Sequence, residues 1–282
     1  MKLKTMRSRT VGGQALRIAI VFALLAGALF PLYFLVITSL KSVVEFGENY
    51  FLPPLHGVQW DNWREVIPGV ARPAANSTSI ALWTAGLVLL VVTPAAYAFS
   101  WHRFPGKERL FTAAIVIMML PSVLTFVPQF ILVKNLGLID TQPAVILPFV
   151  AANIGMGLFL LRTFFQALPL ELVEAARIDG ASELQVLGRI VLPLSVPSLI
   201  TVAVLVVVGA WNSFLWPLVT LPSESNRVAS VAATFFAGDP QFGNNLPVVM
   251  AAYVVSSLPL IVILGGLLRY FMAGATAGAV KG

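Results

Sequence analysis

Six stretches of the chain carry no Asp, Glu, Lys or Arg: 18–40, 73–101, 110–133, 141–161, 190–223 and 240–268. Each can hold the roughly 20 apolar residues that cross a bilayer core. A single charge at the middle of an inserting helix costs roughly 2.5–3.5 kcal/mol, which explains why none is present. The pattern predicts spans at about 18–40, 78–100, 110–133, 142–162, 196–220 and 247–269. Only short loops remain, with no room for a soluble domain. The expected class is an all-α membrane protein of six transmembrane helices: a segment 1–17, a spanning domain 18–272 and a tail 273–282.

Composition agrees. Apolar residues make up 58% of the chain, charged residues 11%, and the mean hydropathy is +0.89. Soluble domains carry roughly 25% charged residues, so lipid is the expected solvent. Lys2, Lys4, Arg7, Arg9 and Arg17 precede the first apolar run as they would in a secretory signal. That run is too long, and no small-residue cleavage site follows it, so it reads as a retained span.

Charge sets the expected sidedness. With the N-terminus inside, the inner segments hold 13 Lys and Arg against 5 in the outer ones, for net charges of +8 and −2. Cytoplasmic loops keep such an excess, so both termini are expected in the cytoplasm. The same asymmetry accounts for the net +6 and the pI near 9.9 without a nucleic-acid partner.

Several chemistries are disfavoured. The chain has no cysteine, and its two histidines, His56 and His102, fall in loops on opposite sides, so no metal site is expected. The six stretches hold no Asp, Glu, Lys, Arg or His, whereas ion-coupled transporters use buried acids and bases. Its one Gly-Lys pair, Gly106-Lys107, is followed by Glu108 and lacks the upstream glycine of a phosphate-cradling loop. No ATP or other cofactor is expected on this chain. The acids gather in loops rather than at one membrane face, which speaks against a multispan enzyme. Prolines 31, 94, 121, 128, 148, 217 and 259 interrupt most spans and predict kinks. The outer segment 41–78, with Pro53, Pro54, Trp60, Trp63, Pro68 and Pro73, reads as irregular structure at the membrane surface. Its tryptophans are expected as interfacial anchors, with docking as the alternative.

The loop 164–195 between the fourth and fifth spans has more local order. Pro169 suits a first helical turn, Glu171 the positive end of a helix, and Glu174-Ala175-Ala176 a helix interior. Gly180 offers a left-handed stop. Ser182 and Gln185 fit a capping box for a second helix that runs toward Ile190 and ends before Pro193. By these signals alone, an amphipathic surface hairpin and a docking helix are equally good readings.

Glu174-Ala175-Ala176, Asp179-Gly180-Ala181, Ile190, Leu192-Pro193-Leu194 and Pro197 together resemble the EAA loop of binding-protein-dependent ABC importer permeases. Similarity to the carbohydrate, maltose-type branch extends over nearly the whole chain. It includes Pro121, Pro128, the run from Leu136 to Thr141, Trp211-Asn212-Ser213-Phe214, the run from Arg269 to Gly274 and that from Thr276 to Gly282. Asp140 stands where Asn is frequent in that branch, and Leu187 where an aromatic often follows the second loop helix.

The resemblance implies a type I importer transmembrane domain in the cytoplasmic (inner) membrane of a prokaryote, whose loop forms the coupling helix. Glu174, Ala175, Ala176, Asp179, Gly180 and Ala181 would sit in a cleft of an ATP-binding subunit. It further implies a second homologous permease, two ATP-binding subunits that carry the ATP and Mg, and an extracytoplasmic solute-binding protein. Expected sugar contacts are Trp211, Asn212, Ser213 and Trp216, with Asn153 and Gln129, since sugars need amide partners and flat apolar faces. Helix–helix bonding and interfacial anchoring explain the same residues. The outer loop 222–246, with Gly238, Asp239, Gly243 and Asn244, is expected to face the binding protein, or to be a plain turn. Alternatives to a sugar permease are an ABC permease for a polyol, glycerol phosphate or amino acid, and an ATP-independent secondary transporter.

Overall fold

The computed structural model describes residues 11–240 and 242–279, with side chains over 16–240 and 242–267. Lys2, Lys4, Arg7, Arg9 and residues 280–282 of the tail lie outside them. The order is α1 (Val11–Ser39), α2 (Val43–Glu48), α3 (Asp61–Trp101), α4 (Lys107–Met118), α5 (Ser122–Asn135), α6 (Pro143–Gln166) and α7 (Leu170–Ile178). There follow α8 (Glu183–Val186), a π-helical stretch (Leu187–Val191), α9 (Leu192–Leu194), α10 (Val196–Asn212) and α11 (Leu215–Thr220). A short turn at Glu224–Asn226, α12 (Ala229–Gly238) and α13 (Leu246–Ala279) complete it.

Among the described residues, four helices are long and apolar enough to cross a membrane: Leu16–Ser39, Asp61–Trp101, Pro143–Gln166 and Leu246–Leu267. Two bent pairs raise the number to six if each is one span. They are α4 with α5, bent by 94°, and the α8–α9 segment with α10, bent by 78°. Pro121 makes the first bend, because it has no N–H to give and its ring clashes with the carbonyl four residues back. The chain leaves α4 through tight turns, with Met119 N–H on the Val116 carbonyl and Leu120 N–H on that of Ile117, both 3.1 Å.

Three local expectations are corrected. The segment 41–78 is irregular only in part: α2 forms, and α3 starts at Asp61 and runs 41 residues through Pro68, Pro73 and Pro94. The outer loop 222–246 contains α12, ten residues of helix that end at Gly238. The second helix of the loop does not end before Pro193. It widens to a π-turn over Leu187–Val191, passes through Pro193 and stops at Ser195.

The described residues divide into two compact units, one holding those up to Pro68 with Phe235–Val255, the other Gly69–Thr234 and those from Ser256 onward. In the first, Lys41 is fully buried, and its ammonium donates to the carbonyl of Asn49 at 2.6 Å and that of Tyr50 at 3.4 Å. Burial pushes its pKa down, and Glu45 offsets part of that. The Glu45 carboxylate accepts from the backbone N–H groups of Leu55 and His56. Asn62 reaches the carbonyls of Ser39 and Lys41, and Trp63 Nε1 donates to Ser39 Oγ at 3.1 Å. Trp63 is therefore tied to the end of α1, while Trp60 is 54% exposed.

In the second unit α3 and α6 run parallel. Ser79 Oγ bonds Gln142 Oε1 at 2.8 Å at one end, and Ser100 Oγ approaches the Arg162 carbonyl at 3.5 Å at the other. Twenty residues of α-helix separate the two levels, about 30 Å, the thickness of a bilayer core. A core at the Ser79–Gln142 level holds Ile80, Val145, Ile146, Trp216, Leu221 and Val231. Arg162 clamps the far end. It pairs with Glu108 at 2.7 Å and lies 3.9 Å over the Phe111 ring, joining α6 to α4.

At the near end Asp140 takes φ +65°, a left-handed conformation that Asp and Asn tolerate through local side-chain bonds. Its carboxylate accepts from the N–H and hydroxyl of Ser223, and its carbonyl from Asn226 Nδ2 at 2.7 Å. Asn76 Nδ2 meets the carbonyls of Ser225 and Arg227 on the same segment, both at 2.9 Å. The Ser223 hydroxyl holds the Asp140 carboxyl below the usual carboxylate range. A carboxylate depressed in the fold contributes stability above its unfolded pKa of about 3.9 and loses it as pH falls through the lower folded value. Asp140→Ala is therefore expected to lower the thermal midpoint in detergent by a few degrees, with the same deficit at pH 7 and pH 5, and Asp140→Asn by less. A deficit that disappears between pH 7 and pH 5 would assign the lock to another group.

Candidate coupling site

Local sequence shapes the loop after α6. Pro169 takes φ −58° at the start of α7, and Glu171 lies in the first turn. Val173 is the buried face of this helix, 1% exposed, while Glu174 and Ala175 are exposed and Ala176 half-buried. Two nested bonds close its end: Ala181 N–H to the Ala176 carbonyl at 3.0 Å, and Gly180 N–H to that of Arg177 at 3.1 Å. That closure needs a left-handed residue, and Gly180 supplies it at φ +82°. The capping box predicted from spacing then starts α8. Ser182 Oγ accepts from Gln185 N–H at 3.4 Å, and Gln185 Oε1 accepts from Ser182 N–H at 2.8 Å.

Two features were not anticipated from the sequence. Ile178 and Leu184, which flank the Gly180 turn, are 86% and 80% exposed. They were findable as the large apolar side chains of a polar turn. Second, the Glu183 carboxylate gathers three partners. Arg177 approaches it through Nε and an Nη at 3.0 Å each, the Tyr97 hydroxyl of α3 donates to it, and His102 Nε2 lies 3.5 Å away.

The six expected coupling residues thus lie together on α7 and its exit turn. The expected sugar contacts differ in burial and in partners. Trp216 is a core residue: its Nε1 donates to the Ala144 carbonyl at 3.0 Å, and its ring meets Phe126 edge-on at 5.3 Å. Trp211 is also buried. Asn153 bonds the Phe149 carbonyl of its own helix, and Gln129 is half-buried on α5. Asn212 and Ser213 follow Trp211 directly. Asn212 is exposed at the end of α10, where the chain breaks before α11, and the extended Ser213 gives its carbonyl to Ser230 Oγ.

Gly238, Asp239, Gly243 and Asn244 are all exposed. Gly243 has a packing reason of its own, since a Cβ there would stand 2.7 Å from the Ala237 carbonyl oxygen. Among the described residues, no group of three His, Cys, Asp or Glu could hold a metal ion.

The family described as binding-protein-dependent transport system inner membrane component matches residues 91–275, a stretch that contains the whole loop. The trehalose transport system permease protein SugB of Mycobacterium tuberculosis is 34% identical over 257 residues, 90% of this chain and 93% of that one. The arabinooligosaccharides transport system permease protein AraQ of Halalkalibacterium halodurans is 37% identical over 208 residues, 73% of each. A solved bacterial ABC transporter involved in the import of the acidic polysaccharide alginate shares the fold, with a TM-score of 0.80 at 23% identity over 96% of this chain and all of that one. With its apolar helices, its hinged loop and the match across two thirds of its length, the chain is a multi-pass membrane protein of the binding-protein-dependent transport system inner membrane component family.

Proposed function

We propose that this chain is the permease subunit through which a sugar or oligosaccharide crosses the cytoplasmic membrane, driven by ATP hydrolysis in a separate subunit docked on the loop 164–195. The observation that carries the reading is the loop itself: a helix capped at its exit, with Glu174 and Ala175 exposed and Ile178 and Leu184 held out beside the Gly180 turn. Small residues let a partner surface approach closely, and apolar side chains so exposed suit a protein contact better than water.

ATP binding to the partner would favour one packing of the spans over another, since a ligand shifts states only through differential affinity. ATP and Mg belong to that partner. The assembly comprises a second homologous permease, two ATP-binding subunits and an extracytoplasmic binding protein facing Gly238, Asp239, Gly243 and Asn244. Both termini are cytoplasmic. The charge excess supports this, as does the grouping of Arg162, Glu108, Tyr97 and Glu183 at the opposite end of α3 and α6 from Asp140 and Ser223. The names of the trehalose and arabinooligosaccharide relatives support a sugar cargo, with Asn212 and Ser213 first among its contacts, then Asn153 and Gln129.

Glu174→Lys and Gly180→Pro test the reading. Proline cannot adopt φ +82° and has no N–H for the Arg177 carbonyl. Both variants are expected to reach the membrane at wild-type levels and to reduce ATP-dependent uptake in proteoliposomes to background. Wild-type uptake in both would refute the docked loop.

A further inference from the structure

Two elements far apart in sequence meet on one carboxylate. Glu183 opens α8 between the two capping-box residues, Ser182 and Gln185, so its backbone is fixed on both sides. From there it receives Arg177 of α7 in a two-pronged contact, and Tyr97 of α3, 86 residues away. The Tyr97 ring is 4% exposed and packs edge-on against Trp101 at 5.1 Å. Trp101 in turn stacks on Phe165 near the end of α6, with centroids 5.8 Å apart and planes within 3°. An unbroken path of contacts therefore leads from α7 into the ends of α3 and α6.

Energy is not what this contact chiefly supplies. The Glu183 and Arg177 side chains are 48% and 33% exposed, and ion pairs so open to solvent add little stability. Direction is what it supplies, because a forked guanidinium–carboxylate contact fixes relative orientation. The other ionic contact at this level, Arg162 with Glu108, joins α4 to α6, which already touch closely at Gly155 and Ala114. Beside it, the Glu183 node links the exposed helix of the loop to a long apolar helix.

We propose that Glu183 and Tyr97 are positioning residues that make α7 and the end of α3 move as one body, so that a displacement of the loop by a docked ATPase reaches the spans through this node. The inference rests on the function proposed above and names the link by which the loop acts. Tyr97→Phe removes one hydroxyl and keeps the ring, and Glu183→Gln removes the charge and keeps an acceptor.

The chain has no cysteine, so nitroxide labels at Glu171→Cys and Arg103→Cys report one distance between α7 and the end of α3. In the assembled transporter, this distance is expected to be narrow and unchanged between the nucleotide-free and the ATP–vanadate-trapped states. With Tyr97→Phe or Glu183→Gln added, assembly and basal ATP hydrolysis are expected to stay at wild-type levels while the trapped state gains a broadened or second distance. The double variant should broaden it no further than Glu183→Gln does, because both act on one link. A wild-type distance that shifts on trapping would overturn the proposal, as would variants that keep the narrow distance. Failure of Tyr97→Phe to assemble would overturn it too, by making the node a folding element. Wild-type chain that does not co-purify with an ATPase would instead refute the function on which the proposal rests, a result separate from all of these.

Discussion

Ile178→Asp combined with Leu184→Asp is expected to release the chain from its ATPase partner while leaving its amount in the membrane unchanged. The two side chains are 86% and 80% exposed, and neither belongs to the buried core. Their replacement therefore removes no packing within the chain. In the assembled state each would be taken out of water against the partner. Full burial of a large aliphatic side chain is worth about 1.5–3 kcal/mol, which is about 10- to 100-fold in Kd for each. Aspartate adds the cost of desolvating a charge. Each single variant should weaken binding at least tenfold, and the double variant by more than about 100-fold. Affinity of the detergent-solubilised chain for the purified ATPase measures this directly. Wild-type affinity of the double variant would place the contact elsewhere on the loop and leave the exposure of these two residues without a docking role.

The local part of this site was legible in the sequence because its signals act over three or four residues. Gly180 as a left-handed stop and Ser182 with Gln185 as a capping box need no knowledge of what lies beyond the loop. Glu183 was not legible as a node, because its meaning comes from Tyr97, 86 positions earlier. The same holds for Trp216, whose N–H finds the carbonyl of Ala144, 72 positions earlier. From sequence, its indole fits a sugar face, an interface anchor or a core equally well.

The apolar stretches were legible as well, but not which of their prolines would break them. Pro31, Pro128, Pro148 and Pro259 all lie inside continuous helices. Pro121 separates α4 from α5 at 94°. Exposure alone does not distinguish it: Met119, Leu120, Val123 and Leu124 are 73%, 53%, 81% and 69% exposed, and Leu29, Phe30, Leu32 and Tyr33 around the unbroken Pro31 are 50%, 47%, 62% and 44% exposed. What marks the site is that the ladder has already tightened into turns at Met119 and Leu120, so α4 ends before Pro121 and α5 starts in a new direction. The bend after α9 differs again. Ser195 is buried between Pro193 and Pro197, and the π-turn before it loosens the helical ladder on the approach.

Gly155→Val is expected to leave little or no folded chain in the membrane, the largest loss of stability of any single substitution considered. A Cβ at Gly155 would stand 2.6 Å from the carbonyl oxygen of Ala114 and 3.1 Å from the Cβ of Met118, both on α4. Neither can turn aside: one is backbone, and the other is the first atom of a side chain. Relief requires α4 to move off α6, and that contact is also held by Arg162 on Glu108 and Phe111. Membrane helices gain their association from such close backbone approach at small residues. Overpacking by extra methyl groups costs about 1–3 kcal/mol where neighbours can shift. Gly155→Ala should therefore lower the thermal midpoint measurably, and Gly155→Val should exceed what the fold tolerates. Gly157→Ala provides a graded comparison, since its Cβ would meet the methyl groups of Val92 at 3.2 and 3.3 Å, a looser approach than the one to the Ala114 carbonyl. Gly86→Ala on α3 meets nothing within 4 Å and should leave the midpoint unchanged or raise it. Size-exclusion profiles and thermal melts of the four variants in one detergent test the order. If Gly155→Val accumulated and melted like wild type, the close approach of α4 to α6 would not be a feature of the folded protein.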